Sequence, residues 1–120
     1  MKAELVKTFR FEAAHSLSGV PEGHKCRRLH GHSYRIDIHV AGDVDPQTGM
    51  VMDFGEIKRV VGGLLDTLDH RNLNEIAGLE NSTSENMGKY LWDRIVPEIP
   101  QLAAVVVWES DTSRCIYRGE

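Results

Sequence analysis

The chain has 120 residues, is 41% hydrophobic and 27% charged, and carries Lys+Arg 14 against Asp+Glu 18 for a formal net charge of −4. That size suits a single compact domain spanning 1–120, able to bury about two-thirds of the surface its unfolded chain exposes. An acidic chain without a basic tract lacks the charge that supplies most nucleic-acid affinity, and no apolar run approaches the ~20 residues of a membrane span.

The opening "MKAELVKTFRFEAAHSL" has neither the continuous apolar core nor the small-residue cleavage site of a signal peptide. Two cysteines, Cys26 and Cys115, make no disulfide framework, so a reducing cytoplasm with free thiols is expected. In "VKTFRFEAAHSL", Phe9, Phe11 and Ala13 alternate with Arg10 and Glu12, which predicts a half-buried strand ending near His15. Residues 17–29 carry Gly19, Pro21 and Gly23 and read as a loop. "HSYRIDIHVAG" then alternates Tyr34, Ile36, Ile38 and Val40 against Ser33, Arg35, Asp37 and His39, the clearest strand of the chain, and "GDVDPQTG" turns it.

Asp53 followed by Glu56 is a capping-box-like start, and Ile57, Val60, Val61, Leu64, Leu65 and Leu68 follow at helical spacing. A second helix opens at "NSTSE" with Ser82 or Thr83 as cap, buries Met87, Leu91 and Ile95, and stops before Pro97 and Pro100. "LAAVVVWE" and "RCIYRG" are the remaining strands, separated by a turn at "SDTS". The order β-β-α-α-β-β predicts an α+β fold: a four-stranded antiparallel sheet with both helices on one face. Its open edges point to a homo-oligomer.

Six histidines occur, and three of them form a pattern. His30 and His32 are two apart and share a strand face. His15, at the end of the preceding strand, would lie beside them in an antiparallel pair. Three neutral imidazoles suit Zn²⁺ and leave one coordination position open. His24 and His39 read as ordinary surface positions, and Cys115 as buried packing.

Cys26, four residues before His30 and flanked by Lys25, Arg27 and Arg28, has two readings. It either closes a Cys-His₃ structural site in a non-catalytic module or stands off the metal as a base or nucleophile. The adjacent Asp69 and His70 form a carboxylate–imidazole pair of the kind that tunes a general acid/base. Glu109 ends the apolar run "AAVVVW", either as an exposed strand terminus or as a carboxylate able to grip two parallel N–H groups.

The set His15, Cys26-x₃-His30-Gly31-His32, Asp69-His70 and Glu109 resembles the 6-pyruvoyltetrahydropterin synthase family, collinearly with "FRFEAAHSL", "VPEGHKC", "LHGHSY", "MDFGEIK", "LDHRNLN", "NSTSENM" and "CIYRGE". Three residues between the cysteine and the first histidine resemble its bacterial carboxy-forming group, of the queuosine (7-deazaguanine) pathway. Pyruvoyl-forming members carry a longer insertion there. The resemblance implies Zn²⁺ on His15, His30 and His32, a catalytic Cys26, an Asp69–His70 relay, Glu109 anchoring a pterin ring and Thr83 lining its pocket. It further implies the tunnelling fold, a subunit-built barrel in which trimers stack in pairs and active sites lie between subunits. The implied reaction takes 7,8-dihydroneopterin triphosphate and water to 6-carboxytetrahydropterin, acetaldehyde and triphosphate, and Lys25, Arg27 and Arg28 are candidates to receive the triphosphate.

Overall fold

Side-chain alternation builds the two longest strands of the computed structural model, which describes residues 1–120. β1 (Lys2–His15) and β2 (His30–Asp43) pair antiparallel along their whole length, with Phe9 opposite Ile36, Phe11 opposite Tyr34, Ala13 opposite His32 and His15 opposite His30. Residues two apart share a face, so Phe11, Tyr34, Ile36, Ile38 and Val40 are buried as one apolar set. The chain continues through α1 (Phe54–Asp66), β3 (Arg71–Asn72), α2 (Ser84–Ile95), β4 (Leu102–Ser110) and β5 (Ser113–Tyr117), and the sheet order is β3-β1-β2-β4-β5.

The sheet therefore has five strands, not the four expected from the alternation. The extra one, β3, is two residues long and runs parallel to Ala13 and Ala14 of β1. A segment that short carries no readable period. It is placed by the turn before it, where His70 sits at φ +59°, a left-handed conformation that non-glycine residues adopt only when held there. The His70 backbone N–H donates to the Glu12 carbonyl, which brings the chain alongside β1. Beyond β3, the outer edge of β1 and that of β5 have no strand partner within the chain.

Asp53 caps α1, its Oδ1 accepting the Gly55 N–H at 2.6 Å. The return arm of the expected capping box does not form, because the Glu56 carboxylate takes both Arg59 N–H groups at 2.6 and 3.1 Å. Of the two cap candidates for α2, Thr83 serves, with Oγ1 accepting the Asn86 N–H at 3.2 Å. Both helices lie on one face, where Ile57, Val61, Leu65, Met87, Leu91 and Ile95 pack with Ile36, Ile38, Val105 and Val107 in one core. Burying each such side chain contributes about 1.5–3 kcal/mol. α2 approaches β5 so closely at Gly88 that a Cβ there would stand 3.0 Å from the Tyr117 Cβ.

The helix-free face holds a buried carboxylate. Asp37 is 6% exposed, and its two oxygens accept from Thr8 Oγ1 at 2.7 Å and from Arg35 Nε, Arg35 Nη2 and Trp108 Nε1 at 3.0 Å each. Burial alone would raise its pKa, but the donors from Arg35, Thr8 and Trp108 outweigh burial and hold it below the usual carboxylate range. The guanidinium groups of Arg35 and Arg114 stack on Trp108, 4.5 and 4.7 Å from the ring centre. No helix is long and apolar enough to cross a membrane.

Candidate metal centre and cleft

The β1–β2 register carries three imidazoles to one end of the helix-covered face. His15 closes β1 directly opposite His30, and His32 follows on the same side of β2. One ring nitrogen from each lies within 4.8 Å of the others, and ring centres are 4.6–5.0 Å apart.

On His15 and His30 the second ring nitrogen is committed elsewhere. His15 Nδ1 is 3.0 Å from the Ser82 carbonyl oxygen and 2.9 Å from Ser82 Oγ, and His30 Nδ1 is 2.7 Å from the Arg28 carbonyl oxygen. A carbonyl only accepts, so each Nδ1 carries the proton and each Nε2 keeps a free lone pair. Burial lowers the His15 pKa, which the Ser82 carbonyl raises, His30 and His32 lower again, and Glu109 raises. The net shift is downward, which favours the neutral imidazole, the form that binds metal.

This donor set fits a metal ion, and three neutral imidazoles are compatible with Zn²⁺, whose Zn–N bonds are about 2.0–2.1 Å. Cys26 does not belong to the converging group. It lies in a 3₁₀ turn, Lys25–Arg27, half-buried. There its N–H donates to His24 Nδ1 at 3.0 Å, and its carbonyl accepts the Leu17 N–H at 2.7 Å. Arg27 braces the same loop by donating from Nε to the Val20 carbonyl and from Nη2 to the Ser18 carbonyl.

Beside the triad opens a cleft of about 460 Å³ lined by Glu12, His32, Ser33, His70, Arg71 and neighbouring backbone. Asp69 Oδ1 accepts the Glu12 N–H at 2.9 Å and stands 3.0 Å from His70 Nδ1. The Glu12 N–H, then His70, hold the Asp69 carboxyl below its ordinary range. The His70 side chain is 77% exposed, so its Nε2 is free to reach a bound molecule.

Glu109 is half-buried at the end of β4, on the helix side with Val105 and Val107, and its charge raises the pKa of His15 and, after burial, of Tyr34. Cys26, Glu109 and Thr83 do not line the cleft shared by His32 and His70. Within one chain, then, the three imidazoles converge and His70 shares a cleft with one of them, His32, while Cys26 and Glu109 do not line that cleft.

Two contributors escape a reading of residue types alone. Ser82 is fully buried against His15, although beside Thr83 it reads only as a spare cap. Asn74 bonds Ser16, Glu80 and Ser82 from a single 3₁₀ turn, Leu73–Glu75, too short to show a periodic pattern.

Comparison with known proteins bears on these features together. The family profile described as 6-pyruvoyl tetrahydropterin synthase matches residues 4–120. A 6-carboxy-5,6,7,8-tetrahydropterin synthase from Synechocystis sp. is 43% identical over 119 residues, covering 94% of this chain and 91% of that protein. A dihydroneopterin monophosphate aldolase from Pyrococcus furiosus is 35% identical over 114 residues, covering 92% and 93%. The structure of Caenorhabditis elegans 6-pyruvoyl tetrahydropterin synthase matches with a TM-score of 0.92 at 29% identity, covering 100% of this chain and 97% of that one.

Proposed function

The chain belongs to the 6-pyruvoyl tetrahydropterin synthase family, and from that premise we propose that it is a zinc-dependent 6-carboxy-5,6,7,8-tetrahydropterin synthase of 7-deazaguanine (queuosine) formation. Its reaction would take 7,8-dihydroneopterin triphosphate and water to 6-carboxytetrahydropterin, acetaldehyde and triphosphate. The observation that carries the reading is the convergence of His15, His30 and His32 beside a cleft where His70, paired to Asp69, shares the wall with His32. The relative at 43% identity and the Cys26-x₃-His30 spacing favour the carboxy product over the pyruvoyl one.

His15, His30 and His32 would hold the zinc ion, which when bound would supply Lewis-acid polarisation of the oxygens on the substrate's side chain. The Glu109 carboxylate accepts the 2-amino and N3 hydrogens of the pterin and so sets where that side chain lies. Asp69 holds Nδ1 of His70, leaving Nε2 to give or take a proton. The Cys26 thiol moves a proton at a carbon of the side chain. Two proton-transfer groups around one held chain suit triphosphate elimination followed by a retro-aldol-type carbon–carbon cleavage. Because the cleft that holds His70 takes in only one triad histidine, while the Glu109 charge acts on His15, the complete site is proposed to close at a junction between subunits. The free edges of β1 and β5 would join there in a trimer-based homo-oligomer, two trimers stacked.

The test is mass spectrometry of the products formed from 7,8-dihydroneopterin triphosphate by the zinc-loaded protein. Acetaldehyde with 6-carboxytetrahydropterin is expected. An intact three-carbon side chain would move the chain to the pyruvoyl activity. Turnover of dihydroneopterin monophosphate but not the triphosphate would move it to the aldolase activity named for the Pyrococcus relative.

A further inference from the structure

We propose that Ser82 and Asn74 are positioning residues for the metal ligand His15, fixing its tautomer and aiming its Nε2 at the site; this rests on the metal-centre reading above. His30 and His32 are two residues apart on one strand, so the pleat of β2 sets their relation to each other. His15 comes from the other strand, and its ring must be turned to the same point independently. Without a partner at Nδ1, rotation about the outer side-chain torsion would present carbon or a protonated nitrogen to the ion.

Ser82 prevents this. It is 0% exposed, its carbonyl accepts the His15 Nδ1–H at 3.0 Å, and its Oγ gives the same hydrogen a second acceptor at 2.9 Å. The Tyr34 hydroxyl, at 3.4 and 3.5 Å from the two ring nitrogens, is too distant and too evenly placed to select between them.

Asn74 fixes Ser82 relative to the ligand. Its Nδ2 donates to Ser82 Oγ at 3.2 Å and to the Glu80 and Ser16 carbonyls at 3.1 Å each, sharing two hydrogens among three acceptors. Its Oδ1 accepts the Ser16 N–H at 2.8 Å. Ser16 directly follows His15 in the chain. One amide therefore clamps the backbone that carries the ligand and the residue that receives the ligand's outer proton. Outer partners of this kind orient metal-binding imidazoles and raise their basicity.

The experiment uses Zn²⁺ and Co²⁺ as probes on the full chain, with Ser82→Ala, Asn74→Ala and, as control, His15→Ala. Zn²⁺ affinity is measured by chelator competition, the Co²⁺ site by visible absorption, the His15 tautomer by long-range ¹H–¹⁵N spectra of the apo protein, and folding by apo thermal unfolding. Expected are an Nδ1–H tautomer in the parent protein, Zn²⁺ binding weakened about 10–100-fold in Ser82→Ala and Asn74→Ala, and altered Co²⁺ bands. Ser82→Ala removes only the Oγ acceptor and leaves the Ser82 carbonyl in place, so it reads the hydroxyl's share of the positioning, and Asn74→Asp replaces Asn74→Ala if the latter does not fold. Parent-like Zn²⁺ affinity and Co²⁺ bands in both Ser82→Ala and the folded Asn74 variant, whatever happens to their melting temperatures, would overturn the positioning role and leave the metal centre standing. Failure of the parent protein to hold Zn²⁺, or full binding by His15→Ala, would overturn the metal centre and this inference with it.

Discussion

Replacing Asp37 with Asn changes little volume but removes the charge around which four hydrogen bonds are arranged. Oδ1 serves Thr8 and Arg35 Nε, while Oδ2 serves Arg35 Nη2 and Trp108 Nε1. An amide has one oxygen, so in either orientation its NH₂ confronts groups that donate. The least costly arrangement points the oxygen at Trp108 and lets the Thr8 hydroxyl rotate to accept, which sacrifices one Arg35 bond and the charge assistance of the others. The Arg35 side chain is 40% exposed and recovers part of its loss from water. The balance is a destabilisation of about 2 kcal/mol near neutral pH, a fall of about 8 °C in Tm for a domain of this size. The pH dependence gives the sharper signature. The folded carboxyl lies below its unfolded value of about 3.9, so its stabilising contribution is complete above that value and is lost as pH falls through the lowered folded one. Urea titrations of parent and Asp37→Asn from pH 7 down to acid should therefore show a constant gap that closes only below about pH 4. No gap at neutral pH, or a gap that persists undiminished into strong acid, would refute the reasoning.

His70→Ala should lower kcat about 10²–10⁴-fold, with a smaller loss in Asp69→Ala and zinc content unchanged in both; parent-like turnover of the His70 variant would remove it from the chemistry. Cys26→Ala should retain its full complement of zinc by metal analysis while losing turnover, and a parallel loss of zinc would assign the thiol to the coordination shell. Gly88→Ala sets a 3.0 Å contact with Tyr117, costing about 1–3 kcal/mol, against about 1 kcal/mol of helix propensity regained. Urea unfolding should show a net loss of stability, and a stabilised variant would contradict the close seating of α2 on β5.

What could be read before the structure follows from where the physics is local. Tyr34, Ile36, Ile38 and Val40 alternate because one sheet face is buried, and that period alone places His30 and His32 on the same side. Asp53 and Thr83 cap helices through contacts two and three residues away, so their roles are legible in short segments. The placement of His15 beside them needs only an antiparallel pairing, and the register supplies it. Features made by distant contacts were not legible. β3 exists because His70 turns the chain onto β1, and two residues show no alternation. Asp37 reads as one more polar position on an alternating strand, yet Thr8 and Trp108 from neighbouring strands bury and bind it. Ser82 reaches His15 across 67 positions, and Asn74 reaches Ser16 across 58. Glu56 matched a capping pattern but found a stronger partner in Arg59 one turn along.

X-ray absorption at the zinc edge of the loaded protein asks most directly whether the ion rests on imidazole alone with room for substrate. The expected spectrum has three histidine nitrogens and a light-atom fourth ligand at about 2.0–2.1 Å, with that fourth contribution altered on adding a dihydropterin. A sulfur scatterer at about 2.3 Å, unchanged by the dihydropterin and absent from Cys26→Ala, would show that the thiol closes the site and would contradict the catalytic reading.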